Sequence, residues 1–256
     1  MRVALCISGQ PRFVEYAYQN IKQTLIDPNN ADVFVHCWYD ESLVGKHFVN
    51  YAESANGWNY STQNSRYPAH VDKIIQKLYQ PKKYLFENEK IIKDSVIPLD
   101  YILTTDNARH YSREYFVNMI YSSWLSIMKC NTLKEEYRLE NNIQYDYVIR
   151  ARFDSTLSRP VICSEYDKNI LWTDKKIHTL PPRMIEDWFG FSSNENMNIH
   201  SSAFNYIQRV VNDVNKIDKI FCSETLVYEM MSKMNINHVA LTDLIHQPIR
   251  QNMIER

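Results

Sequence analysis

Glycine is scarce in this chain: there are four, at positions 9, 45, 57 and 190, among 256 residues. Neither GxGxxG nor a Walker A loop can be written with them, which removes the standard dinucleotide fold, a P-loop kinase and glycine-rich methyltransferase loops. Paired cysteines are also missing. Cys6, Cys37, Cys130, Cys163 and Cys222 are scattered without a CxxC, so neither a zinc site nor a disulfide framework is expected, and reduced, partly buried thiols are the plainer reading. Charge of one sign is lacking too. A formal net charge of −1 gives no general attraction to nucleic acid or to an anionic membrane, so any affinity for phosphate has to be local. No stretch approaches the ~20 apolar residues of a membrane span, and MRVALCISGQPR holds too short an apolar run for a signal peptide. A soluble, cytoplasmic protein without a transmembrane segment or nucleic-acid partner is expected.

Tyrosine, by contrast, is abundant at 18 residues, beside five tryptophans, a composition that suits ring-shaped polar ligands such as bases and sugars and equally suits a core. The length allows one substantial core, and a single domain is the default. Val3 to Ile7 reads as a strand that stops at Ser8-Gly9-Gln10-Pro11. A helix with Phe13, Ala17, Ile21 and Leu25 on one face follows, Pro11 in its first turn and Pro28-Asn29-Asn30 closing it. Asp32 to Trp38 reads as a strand apolar on both faces. Residues 40–65 are weakly patterned and read as a long loop or insertion. Helical spacing returns at His70 to Tyr79, a third strand is expected at Tyr84 to Phe86, and Glu114 to Glu140 carries the clearest helical period in the chain, feeding a strand at Tyr145 to Ile149. This alternation calls for a largely parallel sheet covered on both sides. Short strands are expected near 170–172, 176–180, 188–191 and 239–241. Two further helices are expected, one on Phe204, Ile207, Val211 and Val214, the other on Leu226, Val227, Met230 and Met234 with Ser223 as its cap.

Ligands of open parallel sheets bind at the carboxyl ends of the strands, so those ends carry the functional information. SGQPR offers helix N–H groups, close backbone approach at Gly9 and the charge of Arg12; taken alone it is also an ordinary strand-to-helix turn. Tyr39 and Asp40 would stack a base and accept from a ribose hydroxyl, or serve as plain loop residues, while the third strand end around Glu87 offers little. The fourth end, YDYVIRARFD, delivers Arg150, Arg152 and Asp154 on one strand face if extended pairing persists. Two guanidiniums beside one carboxylate suit a diphosphate with a divalent cation; the competing reading is an internal Arg–Asp ion pair.

Together, MRVALCISGQPR, ADVFVHCW and the long helix running into YDYVIRARFD resemble bacterial and giant-virus glycosyltransferase-like proteins of the GT-A type, in element order over most of the chain. The resemblance implies an α/β, GT-A-like open sheet, mostly parallel in the N-terminal half and flanked by helices, with short strands and helices in the C-terminal half. It implies one domain over 1–256, with a nucleotide-binding half at 1–154 and an acceptor-binding half at 155–256. The activity implied is transfer of a sugar from a UDP- or GDP-linked donor to a glycan acceptor, in polysaccharide or glycan biosynthesis. Such enzymes usually end the fourth strand in a DxD motif that holds Mn²⁺ or Mg²⁺ on the diphosphate. Here the position reads Arg152-Phe153-Asp154, so either Asp154 holds a cation with waters, or Arg150 and Arg152 neutralise the diphosphate themselves. Ser8, Gly9, Gln10, Arg12, Tyr39 and Asp40 would hold the nucleoside side of the donor. His246, near the C-terminus, would bind the metal or close over the diphosphate. The acceptor region would be built around EDWFGFSS and SETLVYEM, with Asp187 as first and Glu224 as second candidate for the base, and Trp188 and Phe189 against a sugar face. For Asp187 a turn role, and for Glu224 a favourable place in the helix dipole, explain the residue equally well. The rivals are a non-catalytic nucleotide- or carbohydrate-binding domain and a nucleotidyltransferase, which normally brings a glycine-rich basic loop.

Overall fold

The computed structural model describes residues 1–46, 50–54, 57–61, 66–88, 113–174, 188–206 and 223–248. Along the chain come β1 (Val3–Gly9), α1 (Val14–Ile21), a π turn (Lys22–Ile26), α2 (Asp27–Asn29), β2 (Asp32–Trp38), β3 (Asn50–Ser54) and β4 (Gly57–Ser61). Then follow α3 (Val71–Tyr79), β5 (Lys83–Glu87), α4 (Arg113–Glu140), β6 (Tyr147–Ala151) and β7 (Ser155–Leu157). The last elements are β8 (Leu171–Thr173), β9 (Gly190–Ser192), α5 (Asn194–Ser201), α6 (Ser223–Lys233), β10 (His238–Ala240) and β11 (His246–Pro248).

Seven strands form one mixed sheet in the order β10-β8-β9-β6-β1-β2-β5, in which β9 alone runs against the others. The expected α/β class, an open and mostly parallel sheet flanked by helices, is therefore what the chain forms. From β1 the chain steps outward through β2 to β5, then returns to the other side of β1 as β6, so the direction of winding reverses between β1 and β6.

Strand alternation sends side chains to two cores. Val3, Leu5 and Ile7 join Val33, Val35, Ile149 and Ala151 under α1 and α3, with Ala17, Ile21, Val71 and Ile75 packed on them. Ala4, Cys6, Phe34 and Val148 face the other way, against Ile120, Trp124 and Ile127 of α4, Met197 of α5 and Met230 of α6. Strands covered on both faces cannot carry a polar stripe, which is why β1 and β2 read as continuous apolar runs. On α4 the buried positions include Lys134, which is fully buried and reaches the side-chain oxygens of Asn194 and Asn198 and the carboxylate of Glu135.

Several expectations shift. The first helix begins at Val14, because Pro11 sits in a tight turn closed by the Arg12 N–H on the Gln10 carbonyl (2.8 Å) and Phe13 takes a left-handed conformation (φ 52°). β6 starts two residues late and runs to Ala151, since Tyr145 and Asp146 are engaged by Asp32 and by the backbone of Arg2. The stretch read as a loop over 40–65 contains the antiparallel hairpin β3–β4, whose polar sequences NYAES and GWNYS lack apolar alternation. β7 and β11, which pair antiparallel, and α5, opened by Ser193 accepting from Asn196 N–H, were not foreseen. The helix expected on Phe204 is helical at 203–206; its continuation and the strand expected at 176–180 lie outside the described residues. Among the described residues, no helix is long and apolar enough to cross a membrane.

The segment after β6 buries Phe153, Leu157, Val161 and Cys163 in the first core, and its backbone is fixed by side-chain amides. Asn20 of α1 gives its N–H₂ to the Leu157 carbonyl (3.0 Å) and accepts from the Leu157 N–H (2.8 Å). Buried Asn29 donates to the carbonyls of Leu25 and Val161 (2.9 and 2.7 Å) and accepts from Cys163 N–H (2.9 Å), while the Thr24 carbonyl, inside the π turn, accepts from Val161 N–H (2.9 Å). Replacing Asn29 by Ala strands two buried backbone groups of the 161–163 segment, and stability is expected to fall by about 2 kcal/mol or more. Urea unfolding of Asn29→Ala, read as a lowered midpoint at unchanged slope, checks this.

Candidate functional site

Where the winding of an open sheet reverses, the loops after two adjacent strands leave on opposite faces and open a crevice. Here that point lies between β1 and β6, whose last paired residues are Ile7 and Ala151, and the two sequences that emerge are Ser8-Gly9-Gln10-Pro11-Arg12 and Arg152-Phe153-Asp154. Ser8 is buried. Gly9 has φ +119°, a conformation closed to other residue types, although a Cβ built there would have no atom within 4 Å. Arg12 folds back so that its Nε donates to the Gln10 side-chain oxygen (3.0 Å), which ties the two side chains together beyond the end of β1.

Strand pairing ends at Ala151, so Arg152 and Asp154 stand on a turn and not on a continued strand face as expected. The turn is closed by the Ser155 hydroxyl, which accepts from Arg152 N–H (3.1 Å). Across it Arg152 makes a two-point pair with Asp154: Nε to Oδ1 at 2.8 Å and Nη2 to Oδ2 at 2.6 Å. The Asp154 side chain is 3% exposed and the Arg152 side chain 22%, so the arginine is the less buried partner. Arg150 takes another course. It lies inside β6, 4% exposed, on the α4 side of the sheet, and its Nη1 donates to the Trp188 carbonyl. The Arg152 guanidinium stands 5.2 Å from the centre of the Trp188 ring. The turn thus restores part of what the strand would have done: Arg150, Arg152, Asp154 and Trp188 form one cluster, and the internal Arg–Asp ion pair is part of it.

Other candidates are placed differently. Tyr39 is a core residue, 3% exposed, with its hydroxyl on the Pro68 carbonyl (3.4 Å), so its ring presents no face to a base. Asp40 caps the turn Glu41–Leu43 by accepting from Ser42 N–H (2.7 Å). Glu224 is the second residue of α6 and His246 pairs with Leu157 in β11; the side chains of both, and all of Asp187, lie outside the described residues. Phe189 is buried in the first core.

The structure also shows groups that the reading of strand ends passed over. Glu87, at the end of β5, accepts from His36 Nε2 (3.1 Å) and from Lys129, and His36 Nδ1 accepts from the Ser126 hydroxyl (2.7 Å). Burial raises the Glu87 carboxyl and the hydrogen bonds from Lys129 and His36 outweigh it, holding its pKa below the ordinary value. Ser, His and Glu in line resemble a nucleophile relay, but Ser126 and His36 are fully buried, so the line ties α4 to the sheet. The signal was a histidine inside the apolar run VFVHCW, which has to find partners. Asp174, 2% exposed at the carboxyl end of β8, lies on the same edge of the sheet as Gly190 and Arg150.

A divalent cation implied by the GT-A resemblance fits these residues poorly. Both Asp154 oxygens are engaged by one guanidinium, and among the described residues no group of three His, Cys, Asp or Glu side chains is placed to hold a metal. No protein-family model matches the chain, and no curated protein does.

Behind the cluster, His200 of α5 packs its ring on Trp124 (5.4 Å between centres); burial, reinforced by Arg150, lowers its pKa from 6.5 to about 3. The unfolded chain therefore binds this proton first, and stability should fall as pH drops from about 6.5 toward 3. Comparing urea midpoints of the native chain and His200→Leu at pH 7 and pH 5 should show a smaller loss on acidification in the variant.

Proposed function

We propose that the chain is a glycosyltransferase that takes a sugar from a nucleoside diphosphate donor, UDP- or GDP-linked, and passes it to a glycan acceptor. The observation that carries this reading is the meeting of SGQPR and RARFD at the reversal between β1 and β6, where the fold opens its crevice. In the transfer, an acceptor hydroxyl attacks the anomeric carbon, the bond to the diphosphate oxygen breaks, and negative charge grows on the leaving diphosphate. Groups already in place to meet that charge lower the barrier without reorganising. The Arg152 guanidinium and the open backbone at Gly9 are suited to this role. The acceptor proton goes to a carboxylate if the configuration inverts, and Asp187 and then Glu224 are the bases proposed.

A second reading has its own support. A guanidinium standing where a DxD enzyme has a cation-binding carboxylate favours a non-catalytic nucleotide- or carbohydrate-binding domain on the same framework.

A panel of nucleotides and nucleotide sugars tested by thermal shift separates the two, because a ligand of the folded state raises the melting temperature with its concentration. Stabilisation by one nucleoside diphosphate, followed by release of that diphosphate from its sugar conjugate in the presence of glycan, is the result expected. Stabilisation without release assigns the binding domain. Arg152→Ala is expected to weaken diphosphate binding by roughly ten- to a hundredfold, the loss of a charged hydrogen-bonded contact; unchanged affinity removes Arg152 from the site.

A further inference from the structure

We infer that the Arg152 guanidinium itself neutralises the bound diphosphate, with no divalent cation between protein and ligand, and that Asp154 is a positioning residue for Arg152. The inference rests on the diphosphate reading above.

The first reason is the state of the carboxylate. Both its oxygens are within hydrogen-bond distance of Arg152, at 2.8 and 2.6 Å, in the parallel two-point geometry that is the strongest available to the pair. A dication reaching Asp154 would have to displace the guanidinium from a side chain only 3% exposed, or stand beside it against charge repulsion. The second reason is orientation. Asp154 fixes the plane of the guanidinium through Nε and Nη2, and the Trp188 ring, 5.2 Å away, backs it from one side. A guanidinium carries its donors in a planar fork that matches the spacing of phosphate oxygens. The Arg152 side chain is the more exposed of the two, 22% against 3%, and so the more accessible to a ligand.

The third reason is the division of labour between the two arginines. Arg150 is too deeply buried to meet a ligand, and its Nη1 grips the carbonyl of the same Trp188 whose ring lies by Arg152. One arginine makes the contact and the other holds its platform. Asp154 would then occupy the second acidic position of a DxD-like stretch while orienting a cationic side chain that does the work of the metal.

Isothermal titration of UDP, GDP and inorganic pyrophosphate into the intact chain, once in EDTA and once in Mn²⁺, tests this without any variant. The tightest of the three should bind with affinities that agree within about threefold in the two buffers. Asp154→Asn should lose about tenfold in EDTA, where a metal ligand could have no effect. Arg152→Lys should lose as much despite keeping its charge, because an ammonium cannot pair at two points. Binding that appears only with Mn²⁺ overturns the inference and leaves the nucleotide reading standing. Wild-type affinity of Asp154→Asn in EDTA overturns the positioning role. Absence of binding for all three ligands in both buffers overturns the nucleotide reading, and this inference with it.

Discussion

A strand with an unbroken apolar run such as Val3 to Ile7 has to be covered on both faces and paired on both edges, and β1 meets that demand completely. Its neighbours are β2 and β6, its odd-numbered side chains enter one core and its even-numbered ones the other. The chain can then leave β1 only at its tip. The same demand on β6 brings a second tip beside the first, and the reversal of winding between them follows from placing β2 and β5 on one side and β6 on the other. Crevice and core are thus two results of one constraint.

The charged and polar side chains at those tips are ordered by hydrogen bonds, while Phe153, Leu157, Val161 and Cys163 of the same stretch are anchored in the first core. The turn after β6 is braced three ways: by Ser155 on the backbone of Arg152, by Asp154 on its guanidinium, and by Asn20 and Asn29 on the strand and loop that follow. Each brace satisfies backbone or charge that burial would otherwise leave costly.

Legibility in the sequence followed physical scale. β1, β2, α1, α3 and α4 were readable because five or more residues repeat a spacing that only one kind of element can bury, and β5 as the short run Tyr84 to Phe86 that follows α3 and Pro81. β7 and β11 were not, because three-residue strands owe their existence to a partner far along the chain, and the hairpin β3–β4 was not, because its short sequences lack apolar alternation. The cluster of Arg150, Arg152, Asp154 and Trp188 was half readable. Its residue types announced charge at a strand end, but a single missing pair of backbone hydrogen bonds after Ala151 decided which charges met each other. Tyr39 was misread because an aromatic residue just past a strand looks the same whether its ring enters the core or the crevice. Lys134 and His36 escaped for the opposite reason: a polar residue inside a buried pattern signals partners only when those partners, Asn194 and Ser126, are already known to be near.

The two glycines at the crevice obey different rules. At Gly190 the obstacle is crowding, since an added Cβ would stand 3.3 Å from the Trp172 carbonyl oxygen. At Gly9 an added Cβ would meet nothing within 4 Å, and what disfavours a side chain is the hand of the backbone, φ +119°. Residues of L hand rarely adopt that backbone, so this strand tip is policed by stereochemistry, and the twenty encoded amino acids supply one achiral member able to comply.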